Sequence, residues 1–332
     1  MKQRLLILFP ALVGLTASAF SAEQHDQKTL RAGLIGLDTS HVVGFTEIIN
    51  NADQSPVADV QVVAAYRGGS PDLPISANRI DGFTNTLRER YAVEIVDSID
   101  ELLKRVDVVL LESVDGRQHL EQARPVIEAG KPLFIDKPIA ASLADTIEIF
   151  ELARKHNVPC FSSSSLRFNE KLQSLRGGTP EIGKIVRCDA TGPINPLEGH
   201  PDLAFYGIHG IEMLFTVMGP GCKRVTWQQD GLIKGEWEDG RVGTFAEGPY
   251  QVRVTGTKGN AESGGGSYGP LITEIAKFFQ TGKPPVPAEE TINLFAFIAA
   301  AQQSKDNGYI PVAVQEVMDA ARQVIEKRDP GR

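Results

Sequence analysis

From residue 30 onward the chain alternates short apolar runs with longer stretches whose apolar residues recur every three or four positions, a rhythm that predicts strand, then helix, then strand. Leu30 to Leu37, Val60 to Tyr66, Val106 to Leu111, Pro132 to Ile135 and Val158 to Phe161 read as strands. Val106 to Leu111 is almost continuous Val and Leu, as a strand buried on both faces requires. Ser40 to Asn50, Phe83 to Tyr91, Ser98 to Lys104, Arg117 to Ala129 and Ser142 to His156 read as helices, with Ser98 as an N-cap and Gly130 as a stop. Gly68 to Pro74 reads as a loop. This alternation predicts an α/β class with a Rossmann-like, doubly wound parallel sheet over residues 30–161.

The rhythm changes after Ser162-Ser163-Ser164-Ser165. Lys184 to Ala190, Arg224 to Gln229 and Tyr250 to Gly256 follow one another as strands without full crossover helices, and Asp239-Gly240 is a hairpin-turn signal. Residues 162–328 are therefore expected to form an α+β domain: an open-faced antiparallel sheet with helices on one face, Leu203 to Met218 chief among them. Further helices are expected at Leu271 to Gln280, Glu289 to Lys305 and Ala313 to Lys327. A length of 332 residues agrees with two domains.

Ahead of the first strand, Leu5 to Phe20 is apolar, broken by Pro10 and Gly14, preceded by Lys2 and Arg4, and ends in the small residues Ala17-Ser18-Ala19. It is short for a membrane span and reads as a signal peptide over residues 1–22, with a periplasmic or secreted mature protein and no membrane association after cleavage. The net charge of −8 becomes more negative once that segment is removed, and no basic stripe offsets it, so nucleic acid is excluded as a partner. Three cysteines, Cys160, Cys188 and Cys222, are an odd number without close spacing and read as buried, inert thiols.

Four places carry candidate chemistry. The first strand runs into Gly36-Leu37-Asp38-Thr39-Ser40-His41, where a dinucleotide turn of the form G-x-G-x-x-G keeps only its first glycine. Asp38 and Ser40 read as caps of the following helix, in preference to catalytic groups. A carboxylate on the helix's first amides would occupy the place of a phosphate, so this turn predicts weakened conventional dinucleotide binding, with His41 crowding the same approach. The second strand ends in Arg67 rather than an acid, which favours NADP slightly over NAD, or else leaves Arg67 as an exposed arginine in a glycine loop. Asp136-Lys137-Pro138 closes the strand at Ile135, where the crevice of a doubly wound sheet lies, and Lys137 there can serve as an acid or hydrogen-bond donor. On the helix from Leu203, His209 and Glu212 share one face, either as a satisfied structural pair or, with His200 or Asp202, as a less favoured metal set.

In this order the motifs resemble the glucose-fructose oxidoreductase, inositol dehydrogenase and rhizopine-catabolism family, Gfo/Idh/MocA, over most of Arg31 to Val312. Asp136-Lys137-Pro138 stands where that family has Glu-Lys-Pro, and Gly207 to Glu212 where it has Gly-x-His-x-x-Asp. The resemblance implies an NAD(P) cofactor touching Gly36, Asp38, Thr39, Ser40, His41, Arg67, Asp115, His119 and Asp136, with Lys137 and His209 as catalytic residues. It further implies hydride transfer on a small-molecule sugar or cyclitol, no metal, and a homo-oligomer paired through the open sheet. Three departures matter: Phe205 stands where the family commonly has an Asp four residues before the His, the phosphate-turn glycines are missing, and Glu112 replaces the small residue often found after the fourth strand. The alternative reading is a carbohydrate-binding or redox-neutral carbohydrate-modifying protein that has lost conventional dinucleotide binding.

Overall fold

The computed structural model describes residues 29–51, 57 and 59–328, so the expected signal segment lies outside the described residues. The first half builds β1 (Leu30–Ile35), α1 (His41–Asn50), β2 (Val60–Tyr66), α2 (Pro74–Ala77), α3 (Ile80–Tyr91), β3 (Glu94–Val96), α4 (Ile99–Leu103), β4 (Val108–Leu111), α5 (His119–Glu128), β5 (Leu133–Asp136), α6 (Leu143–Lys155) and β6 (Cys160–Ser163). These strands form one parallel sheet in the order β3-β2-β1-β4-β5-β6, the doubly wound Rossmann arrangement. Strand alternation sends Val108 and Leu110 to one core and Val109 and Leu111 to the other, which is why β4 carries no polar residue. Ser98 caps α4 by accepting from the Glu101 amide, as its sequence position implies.

The second half runs α7 (Glu170–Ser174), β7 (Ile185–Gly192), α8 (Gly207–Met218), β8 (Cys222–Trp227), β9 (Ile233–Trp237), β10 (Val242–Glu247), β11 (Gln251–Gly256), β12 (Asn260–Ser263), α9 (Tyr268–Thr281), α10 (Ala288–Asp306), β13 (Val312–Ala313) and α11 (Val314–Arg328). Its sheet has the order β12-β11-β7-β10-β9-β8-β13. The expected Asp239-Gly240 hairpin joins β9 to β10, with Gly240 at a φ of +87°. The sheet is mixed rather than wholly antiparallel: β7 and β10 pair in parallel, because the chain leaves β7 through α8 and re-enters beside it two strands later.

Paired glycines let the helices sit down on this sheet. Gly235 and Gly243 face each other across β9 and β10, and a Cβ on either would lie within 2.7 Å of the Phe297 or Trp237 ring. The opposite face carries partly exposed ion pairs such as Arg187 with Asp189 and Lys234 with Glu236.

The two halves are interleaved. Helix α9 returns to the first sheet, burying Leu271, Ile275 and Phe278 among Phe45, Phe134 and Phe161, and α11 packs on α6. The stretch after β6 is clamped by Arg167, 3% exposed, which pairs with Glu212 on α8 and, at 2.6 Å, with Glu290 on α10. Cys160, Cys188 and Cys222 are free and buried, and burial pushes the Cys160 and Cys222 thiols up to about 12. No helix among the described residues is long and apolar enough to cross a membrane.

Candidate active site

A cleft of about 560 Å³ opens above the carboxyl ends of β1 and β5, walled on the far side by α8 and the loop before α9. Thr39, Ser40 and His41 line it from the β1 turn, Lys137 from the end of β5, and Phe205, Tyr206 and His209 from the start of α8. Tyr250 and Tyr268 complete the wall. The structure thus brings Lys137, His209, Thr39, Ser40 and His41 together.

Two histidines in this cleft are oriented from behind. His41 Nδ1 lies 2.6 Å from Asp136 Oδ2, and its ring stacks on Phe45 at 5.1 Å. With Nδ1 donating to the carboxylate, Nε2 keeps its lone pair as a proton acceptor. Burial would raise the Asp136 carboxyl, but the adjacent His41 and Lys137 outweigh it and hold the group at about 2. His209 Nδ1 lies 2.7 Å from Ser164 Oγ, whose oxygen also accepts from the Leu166 amide. Burial, with Lys137 and His41 nearby, moves His209 well below the usual imidazole range, so it is neutral at pH 7. Lys137 Nζ sits 5.5 Å from the centre of the Phe205 ring. The phenyl face holds the ammonium by cation–π attraction and takes no proton from it.

Behind this group Glu112 is fully buried with neither carboxylate oxygen hydrogen-bonded. Burial, reinforced by the Asp136 charge, raises it well above the ordinary carboxylate range, so it is a neutral acid. Tyr250 is pushed up to about 12, chiefly by burial, which makes it a hydrogen-bond donor rather than a base.

The expected helix cap is absent. Neither Asp38 nor Ser40 bonds a first-turn amide of α1 through its side chain. Asp38 is fully buried and turned the other way: Oδ1 accepts from the Val114 amide at 2.9 Å and Oδ2 from Ser76 Oγ at 2.6 Å. Two buried donors outcompete a partly solvated helix end for the same carboxylate. Asp38 therefore ties together the turn after β1, the loop after β4 and α2.

A dinucleotide in a doubly wound sheet crosses the carboxyl ends where strand order reverses, here between β1 and β4, with its adenosine half over β2. In this chain that crossing is filled by its own residues 67–79. Ser70 Oγ donates to Asp115 Oδ2 at 2.6 Å and receives Gln118 Nε2 at 2.6 Å. Arg117 spans Asp115 and Asp72, and Arg67 is paired with Asp81 on α3 rather than free for a 2′-phosphate. Gly68 packs against Gly36 so closely that a Cβ on it would be 3.3 Å from the Gly36 Cα. His119 is buried between the Ser113 and Ile139 carbonyls, and Asp115 is 1% exposed. Asp115, His119 and Asp38 are thus internal ties, Arg67 is held in an exposed pair, and the residues present do not fit a dinucleotide in the usual crossing.

The remaining metal candidates are dispersed. Glu212 is bound to Ser163 and Arg167, His200 Nε2 accepts from the Gly116 amide, and Asp202 pairs with Lys305. Sequence reasoning missed Ser164, Tyr206, Tyr250 and Tyr268. The serine run was read as a domain boundary, and no spacing rule singles out a tyrosine 41 or 59 positions from its site partner His209.

Comparison with known proteins places this architecture. A family model described as "Oxidoreductase family, NAD-binding Rossmann fold", GFO_IDH_MocA, matches residues 31–164. The uncharacterized oxidoreductase YhhX of Escherichia coli strain K12 is 25% identical over 142 residues, covering 38% of this chain and 40% of that protein. The uncharacterized oxidoreductase YrbE of Bacillus subtilis strain 168 is 24% identical over 242 residues, covering 63% of this chain and 70% of that protein. The crystal structure of myo-inositol 2-dehydrogenase from Lactobacillus plantarum superposes with a TM-score of 0.69 at 17% identity, over 86% of this chain and 99% of that one. That likeness extends the shared fold through the second sheet.

Proposed function

We propose that the protein modifies a small carbohydrate or cyclitol by proton transfer in the cleft between the two sheets. The observation that carries this reading is the convergence of Lys137, the Ser164-supported His209 and the Asp136-supported His41 on one cavity. His41 Nε2 is the base, Lys137 the cation beside the reacting oxygen, and neutral His209 the second proton-handling group. Tyrosines along the wall suit the mixed apolar and hydroxyl-bearing faces of a sugar ring. Lys137→Ala is expected to lower turnover by about 10²–10⁴ while thermal stability is kept. Activity within twofold of the parent would remove Lys137 from the site.

Hydride transfer to NAD(P) is the second reading, and the match of residues 31–164 to an NAD-binding family favours it. The filled crossing favours the redox-neutral one. Nucleotide analysis of the purified protein, with calorimetric titration by NAD and NADP, separates the two: micromolar binding, or co-purified nucleotide, establishes the second. Export is part of the proposal and rests on the apolar segment from Leu5 to Phe20. Mass spectrometry of the native protein, finding a start near residue 20 or an intact Met1, decides it. Pairing through the charged open sheet is proposed likewise, with analytical ultracentrifugation as its test.

A further inference from the structure

The cleft has a charge pattern opposite to that of the chain. The protein carries a net charge of −8, yet the residues lining this cavity include two basic side chains, Lys137 and Arg79, and no carboxylate. Asp136 stands behind the lining and is committed to His41, and Glu112 beyond it is held neutral by burial. Lys137 is occupied by its place over Phe205. Arg79 has a different situation. Its Nε donates to the Ile75 carbonyl at 2.6 Å and its guanidinium lies 5.9 Å from the Phe83 ring centre, so the stem is fixed, while among the described residues its terminal nitrogens meet no carboxylate. Nearby, Arg67 and Arg117 are both neutralised by aspartates.

Arg79 comes from the segment that fills the dinucleotide crossing. Its position follows from the anchoring of Ser70 and Ser76 to Asp115 and Asp38, since α2 and the residue capping α3 are carried on those ties. A rearrangement that closes one anion-binding place therefore delivers a planar, five-donor cation to the substrate cavity beside it. A guanidinium fixed at its stem and open at its fork matches a carboxylate in two-point fashion.

We infer that the substrate is an acidic carbohydrate, an aldonate or uronate, whose carboxylate is held by Arg79 while its hydroxyl-bearing carbons lie against Lys137, His41 and His209. The inference rests on the carbohydrate reading above and narrows it. No new bond is required of Arg79, and its role is recognition.

The test is calorimetric titration of the full chain with D-glucuronate, D-galacturonate and D-gluconate, against D-glucose, D-galactose and myo-inositol, at low and high salt. The parent protein is expected to bind at least one acid about tenfold or more tighter than its neutral counterpart, with the preference shrinking as salt rises. Arg79→Gln should erase that preference and leave neutral-sugar affinity unchanged. Arg79→Lys, which keeps the charge but not the fork, should recover only part of it. Equal binding of acids and neutral sugars by the parent, or equal loss of both in Arg79→Gln at unchanged melting temperature, overturns the assignment of Arg79 and leaves the carbohydrate reading standing. Binding of neither class overturns both.

Discussion

Replacing Asp38 by alanine tests whether the turn after β1 is a phosphate site spoiled by a charge or a structural knot. The carboxylate is fully buried and accepts two hydrogen bonds, from the Val114 amide at 2.9 Å and Ser76 Oγ at 2.6 Å. Bonds to a charged acceptor each contribute about 1.5–3 kcal/mol. The Ser76 hydroxyl can turn to another acceptor, whereas the Val114 amide is fixed by the backbone and is left bare. The expected loss is about 3–5 kcal/mol. At roughly 2–4 °C per kcal/mol for a chain somewhat smaller than this one, the melting temperature should fall by about 6–20 °C. Asp38→Asn keeps an acceptor for Val114 and should lose about a third as much. The assay is thermal and urea unfolding, with hydrogen exchange read over residues 67–79, whose amides should lose protection in the alanine variant first. Because Ser70, Asp115 and the Gly36–Gly68 contact still fill the crossing, NADP affinity should not improve to the micromolar range. An alanine variant that melts within about 2 °C of the parent and gains micromolar NADP binding would refute the reasoning, since Asp38 would then be merely an unwanted charge in an open site.

Gly36→Ala should give little folded protein, because the residue has φ of +84° and a Cβ would come within 2.4 Å of the Ser113 backbone; soluble yield and circular dichroism check it. Glu112→Gln should stabilise the protein at neutral pH. Glu112 is raised above its unfolded value, so its contribution to stability is complete below about pH 4.5 and lost as pH rises; urea midpoints should therefore converge near pH 4 and separate above it. His209 is lowered, so its contribution is present above about pH 6.5 and lost as pH falls, and Asp136, held at about 2, adds a further loss between about pH 4 and 2. Melting temperature should decline below pH 6.5, and His209→Asn should flatten the upper part of that decline.

What was legible in the sequence followed from periodicity. The buried strands β1, β2, β4 and β5, the Ser98 cap and the Asp239-Gly240 hairpin are local patterns with local causes, and they stand where the residues place them. The short β3, Glu94–Val96, has no apolar run to announce it and exists because β2 offers it an edge. Lys137 and His209 were legible as candidates because each interrupts an apolar element at a place where a doubly wound fold gathers its ligands. Asp38 was misread because capping is a local rule and its partners, Ser76 and Val114, lie 38 and 76 residues away. Arg79, Tyr250 and Tyr268 escaped for the same reason: their meaning is set by which loops meet, and no spacing within a single chain segment encodes that.

The ion cluster after β6 bears on how a ligand gets in. Arg167 is sealed between Glu212 and Glu290, Arg176 closes the far side of Glu290 at 2.6 Å, and Ser163 holds Glu212 at 2.9 Å. The stretch joining the two sheets is thereby riveted to α8, which carries the cleft's far wall, and to α10. Moving α8 or α10 away from this stretch would strip buried charges of their partners, each separation costing about 3–5 kcal/mol. Closure by moving these elements on a guest is thus opposed, which favours discrimination by a mould set before the guest arrives. A ligand one substituent too bulky for that mould is then turned away at the threshold rather than gripped less firmly within.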